Sequence, residues 1–365
     1  MNIFIRTSIA PYRIDLYNSL YKEGGFRMCF YRRVATDQAF DPEWLESLCE
    51  FSPDYLDGIE LGRPSRKLCR GIFRRIREEK PDVVIVPEFQ IVLFQVLWAR
   101  LFSKKKFKVV SMCDDNLDMI TGRRDFTFLH RWLRGWVPRI VDEIIIVTPS
   151  VCEWYREHFG KGIWLPIIRR EGEMRKVLQG VLPRSLEIVK TYNLAGKKVV
   201  GFVGRLVSLK NVDLLIQAFS GIPGDDNVLV IIGDGPERVS LERLSSSLGE
   251  RVIFTGRLEG EALYAWYNVI GILALLSRQE TFGAVVNEAL LGGAFVLVSS
   301  RAGASCLVDG KNGLVTDIDS PDVLVGDLRS LLQKVEPVPE KPVLREDRMS
   351  VRFEERVHNL MSSLI

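Results

Sequence analysis

Two carboxylates eight positions apart, Glu280 and Glu288, close the ends of the stretch Glu-Thr-Phe-Gly-Ala-Val-Val-Asn-Glu. The apolar run Gly271 to Ser277 before it has strand length, and Val285 to Leu291 after it has helical spacing that stops at Gly292-Gly293. Gly283 therefore falls near a helix N-terminus, where free backbone N–H groups and the helix dipole favour an anion. Glu288 falls about one and a half turns into that helix. There it can accept hydrogen bonds from neighbouring hydroxyls, as a carboxylate does on a ribose.

A second chemical stretch precedes the first. The apolar strand Lys198 to Val203 runs into Gly204-Arg205 and a basic turn ending at Lys210-Asn211, and an amphipathic helix, Val212 to Phe219, follows. Arg205 offers a planar fork of donors and Lys210 a point charge, a pair suited to a diphosphate.

The elements that must position these residues resemble one family over about Lys198 to Val315, the nucleotide-binding domain of retaining GT-B glycosyltransferases of family 4. Gly204-Arg205 with Lys210-Asn211, Gly233-Asp234-Gly235-Pro236, Phe254-Thr255-Gly256, Glu280 to Glu288, and Asn312-Gly313 match its motifs in order. The resemblance implies that Arg205 and Lys210 hold a donor diphosphate beside Gly204. It also implies that the backbone of Phe282, Gly283 and Ala284 covers the sugar and distal phosphate. Glu280 would face the sugar hydroxyls and Glu288 the ribose. It implies an α/β protein of two Rossmann-like domains facing each other across a cleft. The family often has Gly-Gly-x-x-Glu where this chain has Ala302-Gly-Ala-Ser-Cys306, so no role passes to Cys306.

The rest of the chain fits that expectation. Its 365 residues exceed one compact core and suit two domains. Strands read at 2–5, 25–31, 82–86, 106–112 and 143–147, with helical patterns at 12–21, 67–79, 91–102 and 126–134 between them. Such alternation predicts a doubly wound parallel sheet whose ligands collect at the strand ends, near 6–12, 87–90 and 113–118. We expect a first domain over 1–167, with the segment 349–365 packing back on it by resemblance, a linker near 167–183, and a second domain over 184–345. Prolines 337, 339 and 342 mark a loop before the last segment.

Relatives often carry a histidine near the reacting sugar. Here Cys113-Asp114-Asp115 ends the strand instead. Asp114 is the candidate to accept a proton or orient the sugar, or else to cap the next helix; Asp115 and Glu88 are alternates. His130, His158 and His358 lie in helical patterns and read as structural or solvated.

Composition narrows the partners. Six cysteines without a Cys-x-x-Cys pair and the absence of an apolar leader predict free thiols in a reducing cytoplasm. No apolar run reaches the ~18–20 residues of a membrane span. The run Ile91 to Phe102 reads as a buried helix. Residues 1–180 carry 30 Lys/Arg and 24 Asp/Glu, residues 181–365 carry 20 and 23. That basic excess is too weak for nucleic acid, but suits an anionic membrane or a phosphorylated acceptor. Arg66, Lys67, Arg70, Arg74, Arg75 and Arg77 surround Leu68, Ile72 and Ile76 in a basic helical pattern, read first as a packed helix with a solvated rim and second as a membrane contact. Lys104-Lys105-Lys106 reads as a solvated loop that can add to such a patch.

The expected protein is a retaining, metal-independent glycosyltransferase without a cofactor, using a nucleoside diphosphate sugar and a glycan or lipid-linked acceptor in surface polysaccharide or lipopolysaccharide synthesis, and possible contact with the inner membrane face. A sugar-nucleotide epimerase of the same fold and a degenerate binding module are the alternatives.

Overall fold

The computed structural model describes residues 1–34, 40–62, 67–115, 120 and 128–364. The chain divides into two compact units, Met1–Arg169 with Phe353–Ile365, and Arg170–Arg352.

In the first unit the strands are β1 (Asn2–Arg6), β2 (Phe26–Phe30), β3 (Asp54–Tyr55), β4 (Gly58–Glu60), β5 (Lys67–Cys69), β6 (Val83–Pro87), β7 (Lys108–Cys113), β8 (Glu143–Ile146) and β9 (Ile163–Trp164). The main sheet has the order β3-β2-β1-β6-β7-β8-β9, and its pairings are parallel. Its central strands are buried on both faces, which is why Val83 to Val86 and Ile144 to Ile146 are unbroken apolar runs. Chain order reverses between β1 and β6, so the loops after them form the switch point.

The helices of this unit are α1 (Ile14–Lys22), α2 (Pro42–Ser47), α3 (Ile72–Glu79), α4 (Ile91–Phe102), α5 (Phe128–Ile140) and α6 (Pro149–Phe159). Two expectations fail here. Lys67 to Cys69 is not helical but a strand in an antiparallel hairpin with β4. The Gln95 side chain holds it, accepting from the Cys69 N–H at 2.9 Å and donating to the Cys69 carbonyl at 2.8 Å. The helix α3 starts only after Gly71, whose φ of +82° suits glycine. The helix α4 is not buried all round: Trp98, Leu101 and Phe102 are 58%, 69% and 72% exposed. Arg66, positions 116–118 of the expected strand end, and Phe126 and Thr127 of the expected helix lie outside the described residues.

The second unit opens with helices where a linker was expected, α7 (Glu171–Gly180) and α8 (Leu182–Thr191). Met174 and Leu178 are fully buried, and Pro183 sits in the first turn of α8, where its missing N–H costs nothing. The strands β10 (Lys198–Val203), β11 (Asn227–Ile232), β12 (Val252–Gly256), β13 (Ile272–Leu275), β14 (Phe295–Ser299) and β15 (Gly313–Thr316) pair in parallel in the order β12-β11-β10-β13-β14-β15. Here the switch point lies between β10 and β13. The helices α9 (Val212–Ser220), α10 (Arg238–Leu244), α11 (Gly260–Tyr267), α12 (Ala284–Leu291) and α13 (Pro321–Lys334) alternate with the strands. The last helix, α14 (Phe353–Leu364), belongs to the first unit, where Lys108 Nζ donates to the Leu364 carbonyl at 2.9 Å.

Candidate active site

The loops after β10 and β13 are tied together at the switch point of the second unit. Lys210 Nζ forms an ion pair with Glu280 Oε2, and both side chains are 18% exposed. Arg278 links the same loops twice: its N–H donates to the Leu209 carbonyl at 2.9 Å, and its Nε to Asn211 Oδ1 at 2.6 Å. Asn211 itself adopts φ +51°, a left-handed conformation that asparagine tolerates and that turns the chain into α9.

The loop after β11 fixes Gly204 and Arg205 from the other side. Gly204 N–H donates to the Ile232 carbonyl at 3.0 Å, and Leu206 N–H to that of Asp234 at 2.9 Å. A Cβ at Gly233 would lie 1.8 Å from the Gly204 carbonyl oxygen, and one at Gly235 2.4 Å from that of Leu206. The Gly-x-Gly-Pro sequence thus permits a backbone contact that positions the basic turn. The Arg205 side chain is exposed and has no ion-pair partner among the described residues.

The loop carrying Phe282 and Gly283 is braced by the residues that depart from the family motif. Gly303 N–H donates to the Glu280 carbonyl at 3.1 Å and Ala304 N–H to the Phe282 carbonyl at 2.7 Å. Gly283 caps α12 at φ +100°, and a Cβ there would lie 2.4 Å from Leu275 Cδ2. Its neighbour Phe282 is buried, and Ala284 begins the helix. The first N–H groups of α12 therefore open beside Glu280. Four turns of sequence bring Arg205, Lys210, Glu280 and the α12 N-terminus to the carboxyl ends of β10 and β13.

Glu288 lies one turn further along α12 and is mostly buried. Its Oε2 accepts a 2.7 Å hydrogen bond from the Tyr267 hydroxyl. Burial first, and the facing carboxylate second, push the Tyr267 phenol well above its ordinary range, so it stays a donor. Tyr267 is a partner of Glu288 that sequence reasoning missed; it ends α11, with no motif of its own to mark it. Cys306 lies in a short 3₁₀ turn, its thiol pushed up to about 12 by burial, so it is no nucleophile at neutral pH. Asn312 is also structural, its amide donating to the carbonyls of Leu307 and Arg348.

A cavity of about 620 Å³ lies at the opposite ends of the strands, lined by Gly271, Phe295, Asn312 and the segment around Val335 to Arg348. It contains none of the predicted site residues.

In the first unit, Asp114 joins two arginines. Arg6 Nη2 donates to its Oδ2 at 2.7 Å and Arg13 Nη2 to its Oδ1 at 2.6 Å. Burial opposes ionisation of Asp114, but Arg13 and Arg6 outweigh it and hold the carboxyl below its usual range. A carboxylate so held is a weak base and a good fixed anion. Arg6 opens the strand end expected to collect ligands and Arg13 follows it, but the pairing of either with Asp114 was not expected. Glu88, Cys113 and Asp115 form a second cluster, with ligand atoms within 4.8 Å of one another. Asp115 is paired with Arg134 at 2.7 Å. Burial and then the Asp115 charge push the Glu88 carboxyl well above its ordinary range, and its buried Oε2 has no hydrogen-bond partner among the described residues. His158 donates from Nδ1 to the Trp154 carbonyl in the same helix and stacks on the Trp154 ring, while His358 is exposed on α14; the His130 side chain lies outside the described residues.

Residues 186–342, which hold Arg205, Lys210, Glu280 and Glu288, match the family model for glycosyl transferases group 1. The match lies within the second unit, and the matched stretch is termed the group 1 domain after the proteins it resembles. Over 139 residues the chain is 37% identical to a GDP-mannose-dependent alpha-mannosyltransferase of Corynebacterium glutamicum, covering 37% of this chain and 32% of that protein. Over 152 residues it is 35% identical to the GDP-mannose-dependent alpha-(1-6)-phosphatidylinositol monomannoside mannosyltransferase of Mycolicibacterium smegmatis, covering 38% of this chain and 40% of that one. The matched stretch thus spans about a third of the length of these curated relatives.

Solved structures extend the likeness to the whole chain. The UDP complex of Anabaena HepE aligns with TM-score 0.68 at 15% identity, over 100% of this chain and 95% of that one. The lipopolysaccharide outer core galactosyltransferase WaaB aligns with TM-score 0.66 at 18% identity, over 100% of both. At such identities the likeness is one of fold, and the fold is GT-B. The group 1 domain is the part that sequence identity also supports.

Proposed function

We propose that the chain is a glycosyltransferase that moves a sugar from a nucleoside diphosphate sugar to a hydroxyl of a glycan or lipid-linked acceptor. The observation that carries this reading is the convergence of Arg205, Lys210, Glu280 and the α12 N-terminus at one switch point. The difficult event is departure of a diphosphate from the anomeric carbon. Arg205, free of any carboxylate among the described residues, and the N–H groups at Gly283 and Ala284 stabilise the departing charge. Lys210 is already neutralised by Glu280, so the donor must share or displace that contact as it binds. This couples the diphosphate to the sugar, because Glu280 then turns its freed oxygen to the sugar hydroxyls. Glu288, oriented by Tyr267, receives the ribose.

In this reading the sugar keeps its anomeric configuration, and the basic groups replace a divalent metal. Asp114 acts in the first unit as an anchor for Arg6 and Arg13, which face the acceptor, and not as the base. The likeness to a phosphatidylinositol monomannoside mannosyltransferase and to a lipopolysaccharide galactosyltransferase supports a membrane-linked acceptor. We place the work in surface polysaccharide or lipopolysaccharide synthesis at the cytoplasmic membrane face, with no nucleic acid partner. The test is transfer of radiolabel from a panel of nucleotide sugars to membrane lipid extract, with and without chelator. Label in the extract, undiminished by chelator, is expected. Epimerised donor without transfer, followed by NMR, would replace this reading with an isomerase.

A further inference from the structure

The outer surface of the first unit's helical layer has an unusual composition. The helix α4 carries two polar residues, Gln95 and Arg100. Both are occupied inside the protein: Gln95 by the Cys69 backbone, Arg100 by Asp142 at 2.7 Å and 3.1 Å. Every other residue is apolar, and the one polar side chain of α4 that reaches water, Arg100 at 29% exposure, is paired with Asp142. A helix that is apolar all round is ordinarily buried all round. Yet Trp98, Leu101 and Phe102 are more than half exposed, with Trp98 and Phe102 rings 5.4 Å apart.

The neighbouring helix repeats the pattern. Trp132 and Trp136 on α5 are 52% and 41% exposed and stack at 5.6 Å. The crossovers β6-α4-β7 and β7-α5-β8 step in the same direction along the sheet, so right-handed connections put α4 and α5 on one face. Their inner side chains accordingly share one core. Neither helix contains an acidic residue. Lys104, Lys105 and Lys106 follow α4 directly and are exposed; Lys105 pairs with Asp82, while Lys104 and Lys106 have no side-chain partner among the described residues. No described helix is long and apolar enough to cross a membrane.

We infer that the α4–α5 face is a docking surface for an anionic lipid bilayer, into whose interface Trp98, Leu101, Phe102, Trp132 and Trp136 insert. Tryptophans with an apolar body and a polar N–H belong at that depth, and the lysines above them meet the lipid phosphates. This deepens the membrane-linked acceptor reading and rests on it. It also moves the contact away from α3, where Arg75 is held by Asp54 and Arg74 lies against Glu78.

The test is flotation with vesicles of phosphatidylglycerol and phosphatidylcholine in equal amounts, against phosphatidylcholine alone, without any sugar nucleotide. The full chain should float with the anionic vesicles at low salt, with a blue shift in tryptophan emission. Replacing Trp98, Leu101 and Phe102 together by Gln should cut partitioning at least about tenfold, and Lys104→Gln with Lys106→Gln about fivefold per residue at low salt only. Melting temperature and nucleotide affinity should be unchanged in both variants, since all of these side chains are exposed and belong to the first unit. Nucleotide binding without flotation would overturn the docking surface and leave the transferase reading standing. Flotation without nucleotide binding would do the reverse. A concentration-dependent dimer that the Gln variant dissolves, with no vesicle binding, would assign the face to a second copy of this chain instead.

Discussion

In the group 1 domain, Lys210 and Glu280 sit within motifs about ten residues long, and the sheet needs only to bring two such motifs together. In the first unit, Asp114 meets Arg6 and Arg13 from 108 and 101 residues away, and although all three lie at or beside expected strand ends, no local pattern marks their pairing. The difference lies in what each site asks of the chain. A phosphate cradle needs backbone N–H groups, and these demand glycines at fixed positions: Gly233 and Gly235 leave room for the 204–206 backbone, and Gly283 caps α12. Such demands are written locally. An ion-pair cluster needs only side chains long enough to reach, supplied by whichever strands end nearby.

Several substitutions can break or sharpen this contrast. The largest effect is expected in the group 1 domain. Arg205→Ala and Lys210→Ala each remove a charge that the proposed reading sets against the departing diphosphate, and on that reading transfer should fall about 10²–10³-fold with the melting curve unchanged. Activity within a few-fold of the parent in both variants would remove the turn from the site.

Asp114→Asn should act the opposite way, on stability. At neutral pH the carboxylate compensates Arg6 and Arg13, and the loss of a charged hydrogen-bonding partner that is partly exposed should cost about 1–3 kcal/mol by urea unfolding. Because its pKa is depressed in the folded chain, this contribution is present above the ordinary aspartate range and lost as pH falls through the folded value. Affinity for a nucleoside diphosphate should not change. A variant as stable as the parent at pH 7 would mean that Asp114 does not anchor the arginines.

Glu88→Gln offers the smallest effect and the finest test. Burial and Asp115 raise the Glu88 pKa, so its contribution is greatest below the ordinary glutamate range and is lost as pH rises through the folded value. The neutral amide removes that slope. The variant should match the parent at acid pH and melt about 2–4 °C higher near pH 7. A melting difference that does not vary with pH would show that Glu88 is not held protonated.

How much the sequence disclosed follows the same division. The parallel sheets and the second unit's motif residues were legible, because unbroken β-branched runs and glycine spacings are local. Lys67 to Cys69 was misread because its strand depends on Gln95, a partner far along the chain. Residues 171–183 were misread as linker because charged residues on one side of α7 hid the buried Met174 and Leu178. Tyr267 was invisible because only tertiary packing, with α11 and α12 both set against α7, brings its hydroxyl to Glu288. The exposed face of α4 was also hidden, since apolar residues read alike whether they meet a core or a lipid surface.

The central claim is that the donor's nucleotide is held by the group 1 domain at this switch point. Calorimetric titration of GDP and UDP into the parent and into Glu288→Gln tests it most directly. The parent should bind at least one of the two diphosphates. Glu288→Gln should weaken that binding by about 1.5–3 kcal/mol, the contribution of a hydrogen bond to a charged group. A dissociation constant unchanged by the substitution would contradict the assignment of Glu288 and, with it, the placement of the nucleotide.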